Sequence, residues 1–172
     1  MLELNGRKVL VLGLGDTGTS MARWLSARGA RVTVADTRTQ PPHAEALARE
    51  LPAVAIECGA IADSSLRHTD LIAISPGIDR RMPAIADAIH RGTPVAGDVE
   101  LFARATNGTA SKVVAITGTN GKSTVTALVG AMCKRAALDT EVAGNISPAI
   151  LDALARREAG GAMPDAWVLE LS

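Results

Sequence analysis

Tyrosine is missing from this sequence altogether, and one phenylalanine and two tryptophans are its whole aromatic content. With 47% apolar residues but only 2% aromatics, the core has to be built from valine, leucine, isoleucine and alanine. That composition suits parallel sheets covered by alanine-rich helices. Charge of one sign is also lacking: 18 basic and 18 acidic residues cancel, and the basic ones are not clustered, which argues against a nucleic-acid surface. The two cysteines, Cys58 and Cys133, stand far apart and lack metal-type spacing, so they read as reduced thiols of a cytosolic protein. No apolar run approaches the length needed to span a membrane, and the opening residues do not form a signal peptide. Repeats and low-complexity segments are absent too. His43, His68 and His90 share no motif and read as solvated surface rather than ligands.

What is present is organised around residues 113–125 (VVAITGTNGKSTV). An apolar run predicts a buried strand, a glycine-containing turn follows, and Lys-Ser-Thr opens a helix. This is the layout of a phosphate-binding loop. Gly118 and Gly121 let the backbone turn tightly and bring amides near phosphate oxygens. The helix start adds unpaired N–H donors and partial positive charge. Lys122 places a cation on the outer phosphates, as the catalytic candidate, and the Ser123 hydroxyl is suited to Mg²⁺. The general pattern G-x-x-x-x-G-K-[ST] is not fully met, because Ile116 stands at the first glycine position. A chance helix start after a strand is the bland alternative.

A second glycine-rich corner lies near the start. Strands are predicted over 8–12 and 31–35, with a helix between them burying Met21, Trp24 and Leu25. Gly13, Gly15 and Gly18 form G-x-G-x-x-G, and Asp36 follows about 20 positions on, the dinucleotide-binding fingerprint. Two readings stay open here: a diphosphate site with Asp36 accepting from a ribose hydroxyl, or a turn that merely packs helix on strand. Further strands are expected at 54–56, 71–74 and 94–96, with helices over 44–51, 83–90 and 98–105. Ser75-Pro76-Gly77-Ile78 ends one of those strands, where ligands of open α/β sheets bind and where a plain turn would look the same.

Residues 106–111 read as a linker between residues 1–105 and 112–172. In the later part a strand at 140–143 and a helix from Pro148 to about Arg157 precede the apolar strand 166–172. Glu170 near its end is placed as many nucleoside triphosphatases place a Mg²⁺-holding carboxylate. The fold expected is α/β: a Rossmann-like parallel-sheet domain followed by the beginning of a P-loop NTPase-like α/β domain.

Taken together, Gly13-Leu14-Gly15-Asp16-Thr17-Gly18, Asp36-Thr37-Arg38, Ser75-Pro76-Gly77-Ile78, residues 97–102 (GDVELF), residues 117–124 (TGTNGKST), Gly144-Asn145-Ile146 and Leu169-Glu170-Leu171-Ser172 resemble the Mur ligase family in collinear order. Within it they look most like the branch that adds D-glutamate to UDP-N-acetylmuramoyl-L-alanine, and Ile116 fits the family's own loop variant. The resemblance implies an ATP-dependent amide ligase of peptidoglycan synthesis working through an acyl phosphate, cytoplasmic and monomeric, with ATP and Mg²⁺ as cofactors. Gly118, Thr119, Asn120, Gly121, Lys122, Ser123 and Thr124 would cradle ATP, and Ser123 and Glu170 would hold Mg²⁺. Asp16 (through its backbone), Thr17, Asp36, Thr37, Arg38 and Gly77 would meet the UDP part of the substrate. Asn145 and Ser172 would meet its sugar–lactyl–alanine end. The family has a longer central domain and a third domain, which supply a second metal site and the D-glutamate site, so the 172 residues alone are expected to bind the UDP moiety without turning over. The competing readings are an NAD(P)-binding oxidoreductase module and a P-loop nucleotide switch.

Overall fold

The structure is a computed structural model that describes residues 3–172. The chain packs as two compact units, one running to Leu101 and the other from Phe102 to Ser172. Phe102 meets Trp167 edge-on at 5.0 Å between ring centroids, which ties the second half of its helix to the later unit.

The first unit alternates β1 (Lys8–Leu12), α1 (Asp16–Ala27), β2 (Arg31–Asp36), α2 (Ala44–Glu50), β3 (Ala55–Cys58), α3 (Asp63–Arg67), β4 (Leu71–Ile74), α4 (Pro83–His90), β5 (Val95–Ala96) and α5 (Asp98–Thr106). All strands pair in parallel, in the order β3-β2-β1-β4-β5. Side chains of β1 alternate between faces, as a strand requires. Leu10 and Leu12 join Ile72, Ile74, Leu66 and Ile85 in one buried cluster. Both faces of β1 are buried, so the strand reads as a continuous apolar run.

In the second unit β6 (Lys112–Ile116), α6 (Lys122–Arg135), β7 (Thr140–Gly144), α7 (Ile150–Ala159) and β8 (Ala166–Glu170) form a parallel sheet in the order β6-β8-β7. The central strand β8 is buried along its length, with Trp167 fully enclosed.

The α/β fold with parallel sheets agrees with expectation, and five details differ. The third strand lies at Ala55–Cys58 rather than 54–56, on a half-exposed sheet edge where alternation is weak. Helix α3 is unexpected; it has five residues and buries Leu66 alone, too little to show a period. The last strand ends at Glu170, two residues early, and α7 begins at Ile150 and runs on to Ala159. Finally, β6 is not a buried strand. It lies at a sheet edge with Val113 50% exposed, because α6 packs chiefly over β8 and β7. No helix among the described residues is long and apolar enough to cross a membrane.

Candidate functional site

The strand order of the first sheet reverses direction of growth at β1, with β2 on one side and β4 on the other. A crevice at such a switch point, outside the carboxyl ends of the strands, is the usual ligand position in open α/β sheets. The glycine-rich turn after β1 and the Ser75–Ile78 turn after β4 meet there. Gly13 N–H donates to the Ala35 carbonyl (2.8 Å), Ser75 N–H to the Leu12 carbonyl (3.0 Å), and Ser75 Oγ to the Gly13 carbonyl (3.4 Å). A Cβ on Gly18 would fall on the Gly13 carbonyl, so only glycine lets α1 sit this close to the turn.

Helix α1 starts with no side-chain cap, and its first intrahelical bond is Thr19 N–H to the Gly15 carbonyl. The amides of Asp16, Thr17 and Gly18 precede that bond and carry the positive end of the helix. Thr17 is half-buried, whereas Asp16, Thr37, Arg38 and Gly77 are exposed around the same edge. The Asp16 carboxylate turns to His43, with Oδ1 3.0 Å from Nε2.

Asp36, 2% exposed, holds this corner together. Its Oδ2 accepts from Leu14 N–H (2.6 Å) and Arg38 Nη2 (2.7 Å), and its Oδ1 from Arg38 N–H and Nε (both 2.9 Å). The Arg38 guanidinium and these amides hold the carboxyl well below the usual carboxylate range. Four donors fill the acceptor sites of both oxygens. The acid that sequence alone offered to a ribose hydroxyl is therefore engaged within the protein. Arg38, with half its side chain in solvent, is the group presented outward.

In the second unit, residues 117–121 between β6 and α6 are all exposed. Gly121 takes the left-handed conformation (φ 73°) as the N-cap of α6, again with no side-chain cap. Lys122 Nζ folds back onto the Gly118 carbonyl (2.9 Å) at the surface, and Ser123 and Thr124 are exposed in the first turn. The corner is open, and its lysine stays outside the core.

Glu170 ends the central strand, in register with Ile116 on one side and Gly144 on the other. It is 3% exposed; Asn145 Nδ2 donates to Oε1 at 3.3 Å, and the buried Oε2 has no partner. An orphaned carboxylate oxygen beside a phosphate-type loop fits a cation, because a lone buried charge is costly. No group of three or more His, Cys, Asp or Glu side chains among the described residues is placed to hold a metal. A single carboxylate oxygen free to ligate suits Mg²⁺, which takes one or two protein oxygens and completes its shell with phosphates and water. Asn145 lies beside Glu170, and Ser172 is exposed just beyond the strand.

A cavity of about 790 Å³ opens at the opposite end of the first sheet, lined by Lys8, Arg31, Ala55 and His68 among others, and none of the expected site residues reaches it. The contribution of His43 was not legible in sequence, where it stood as an isolated histidine after two prolines.

Comparison with known proteins places the chain in a family. The Mur ligase MurD-like N-terminal domain matches residues 7–97. The UDP-N-acetylmuramoylalanine--D-glutamate ligase of Nitrosospira multiformis is 56% identical over 174 residues, covering 99% of this chain and 37% of that protein. The ligase of the same name from Chromobacterium violaceum is 50% identical, covering 99% of this chain and 38% of its own length. The chain thus spans a little over a third of the curated relatives it matches. Among solved structures, a pseudomurein peptide ligase type C from Methanothermus fervidus shares the fold at TM-score 0.51 and 23% identity, over 97% of this chain and 33% of that one. The UDP-N-acetylmuramate:L-alanyl-gamma-D-glutamyl-meso-diaminopimelate ligase of Neisseria meningitides does so at 0.53 and 15%, over 96% and 52%.

Proposed function

This chain belongs to the Mur ligase family through its MurD-like N-terminal domain, and from that premise we propose that it is the substrate- and ATP-binding portion of a ligase joining D-glutamate to UDP-N-acetylmuramoyl-L-alanine. The observation that carries the proposal is the occurrence, in one chain, of two open glycine-rich βα corners, each at the carboxyl edge of its own parallel sheet. One phosphorylated compound per corner is what a ligase coupling ATP to a nucleotide-linked acid needs. An NAD-dependent enzyme has no use for the second corner, and the saturated acceptors of Asp36 deny it the usual ribose contact.

By role, residues 1–105 bind the UDP part. The amides of Asp16 and Thr17 meet the diphosphate at the start of α1, and Thr37, Arg38 and Gly77 flank the uridine, with Asp36 fixing Arg38. Residues 112–172 begin the ATP domain, joined through 106–111. Gly118 to Thr124 surround the triphosphate, with Lys122 swinging from the Gly118 carbonyl to the outer phosphates. Ser123 and Glu170 would hold Mg²⁺, which supplies charge neutralisation when bound. Asn145 and Ser172, near Glu170, face the alanyl end.

The γ-phosphoryl of ATP passes to the alanine carboxylate oxygen, releasing ADP. The amine of D-glutamate then attacks the acyl carbon, a proton is lost from nitrogen, and phosphate leaves as the amide forms. Both steps bring anions together, so the work of these residues is alignment and charge cancellation. The setting is cytoplasmic, and the chain acts as a monomer. The 172 residues by themselves, which span a little over a third of those relatives, bind the UDP compound without turning over.

Calorimetric titration of the 172-residue chain tests the reading. Saturable one-to-one binding of UDP-N-acetylmuramoyl-L-alanine, no heat from NADH, and no ADP release on adding D-glutamate are expected. NADH binding in place of the UDP compound overturns the proposed substrate, and D-glutamate-dependent ADP release overturns the inactivity of the chain alone.

A further inference from the structure

Asp16 is in an awkward place for the role of its corner. It is the acidic residue of the first turn of α1, beside the amides of Thr17 and Gly18, and its side chain is 89% exposed. A carboxylate in a first helical turn is drawn to the same N–H groups and the same positive helix end that would receive a phosphate. If it folded back, it would cap the helix and set a negative charge against an incoming diphosphate. In the structure it does neither: the helix has no side-chain cap, and Asp16 Oδ1 lies 3.0 Å from Nε2 of His43.

His43 is well anchored for this contact. It is the N-cap residue of α2, its carbonyl accepts the helix bond from Leu47 N–H (2.9 Å), and Pro41 and Pro42 precede it. The imidazole therefore reaches Asp16 from a fixed point on the neighbouring βα connection.

We propose that His43 is a positioning residue for the UDP site: its imidazole, with Nε2 3.0 Å from Asp16 Oδ1, holds that carboxylate aside and keeps the first-turn amides of α1 open to a diphosphate. The inference rests on the UDP reading above and adds to it a residue outside the glycine-rich motif. It predicts a specific pattern of coupling. Removing His43 releases a competitor, whereas removing the charge of Asp16 makes His43 dispensable.

The test is calorimetry with UDP on four forms of the chain: the parent, His43→Ala, Asp16→Asn and the double variant, each checked by thermal melting. The parent binds UDP, His43→Ala binds about threefold more weakly, as an exposed polar contact allows, and the double variant returns to the parent affinity. Equal binding by parent and His43→Ala overturns this inference and leaves the UDP site standing. A weakening that Asp16→Asn fails to rescue assigns His43 a merely structural part and overturns it as well. Absence of UDP binding by the folded parent overturns both the inference and the reading beneath it.

Discussion

Glu170 and Ile116 are register partners in the parallel pairing of β8 with β6, which sets a buried, half-satisfied carboxylate beside the residue that leads into the phosphate-type loop. Strand pairing thus brings a candidate cation ligand to the loop across more than fifty residues of sequence. Glu170→Gln removes the charge and keeps the shape. The variant is expected to melt at or above the parent temperature, since an unpaired buried charge costs stability, while ATP binding loses its dependence on Mg²⁺. Nucleotide titrations with and without Mg²⁺ check this, and an unchanged Mg²⁺ effect counts against the assignment.

Lys122 should separate binding from folding. Its ammonium group donates to an exposed backbone carbonyl, so Lys122→Ala is expected to shift stability by no more than about 0.5 kcal/mol. Affinity for ATP should fall by about tenfold or more, the loss of one charge-assisted contact to phosphate. Melting and calorimetry on the same sample distinguish the two effects.

Gly18 is the converse case. An added methyl at Gly18→Ala collides with backbone, the Gly13 carbonyl, which no rotamer change relieves. A cost of about 3 kcal/mol or more is expected, at the upper end of overpacking. At Gly121 nothing crowds the position, and the left-handed φ alone makes Gly121→Ala cost about 1 kcal/mol. Chemical denaturation of the two variants orders them.

Asp36 gives the first unit an acid sensitivity. Its folded carboxyl is held below its unfolded value by Arg38 and two amides, so its stabilisation is whole above the unfolded pKa, near 4, and is lost as pH falls below it. The parent should lose melting temperature steeply below about pH 4. Asp36→Asn should start lower, by about 2 kcal/mol for the lost charged hydrogen bonds, and fall less steeply. Parallel curves for the two proteins would contradict the assignment.

These features were unequally visible in the amino-acid order. β1 and β4 are buried on both faces and announce themselves as apolar runs, and both glycine-rich corners sit where local rules place them. Helix α3 was invisible because five residues with one buried leucine carry no period. β6 looked like a core strand because an apolar run does not say whether a neighbour pairs on each side; sheet order decides that, and here β6 is an edge. The partners of Asp36 were hidden for a similar reason. Its spacing suggested a ribose acceptor, but Leu14 and Arg38 occupy its oxygens, a fact of three-dimensional pairing. His43 likewise acquires meaning only from what the fold sets beside it.

The central claim is that two separate corners receive two separate phosphorylated ligands. Amide chemical shifts of the ¹⁵N-labelled chain, followed while UDP and then Mg·ATP are added, test it residue by residue. UDP should move the resonances of Leu14 to Gly18 and of Thr37 and Arg38, and Mg·ATP those of Gly118 to Thr124 together with Glu170, each leaving the other set in place. Movement of one shared set by both nucleotides, or none at either corner, would contradict the account.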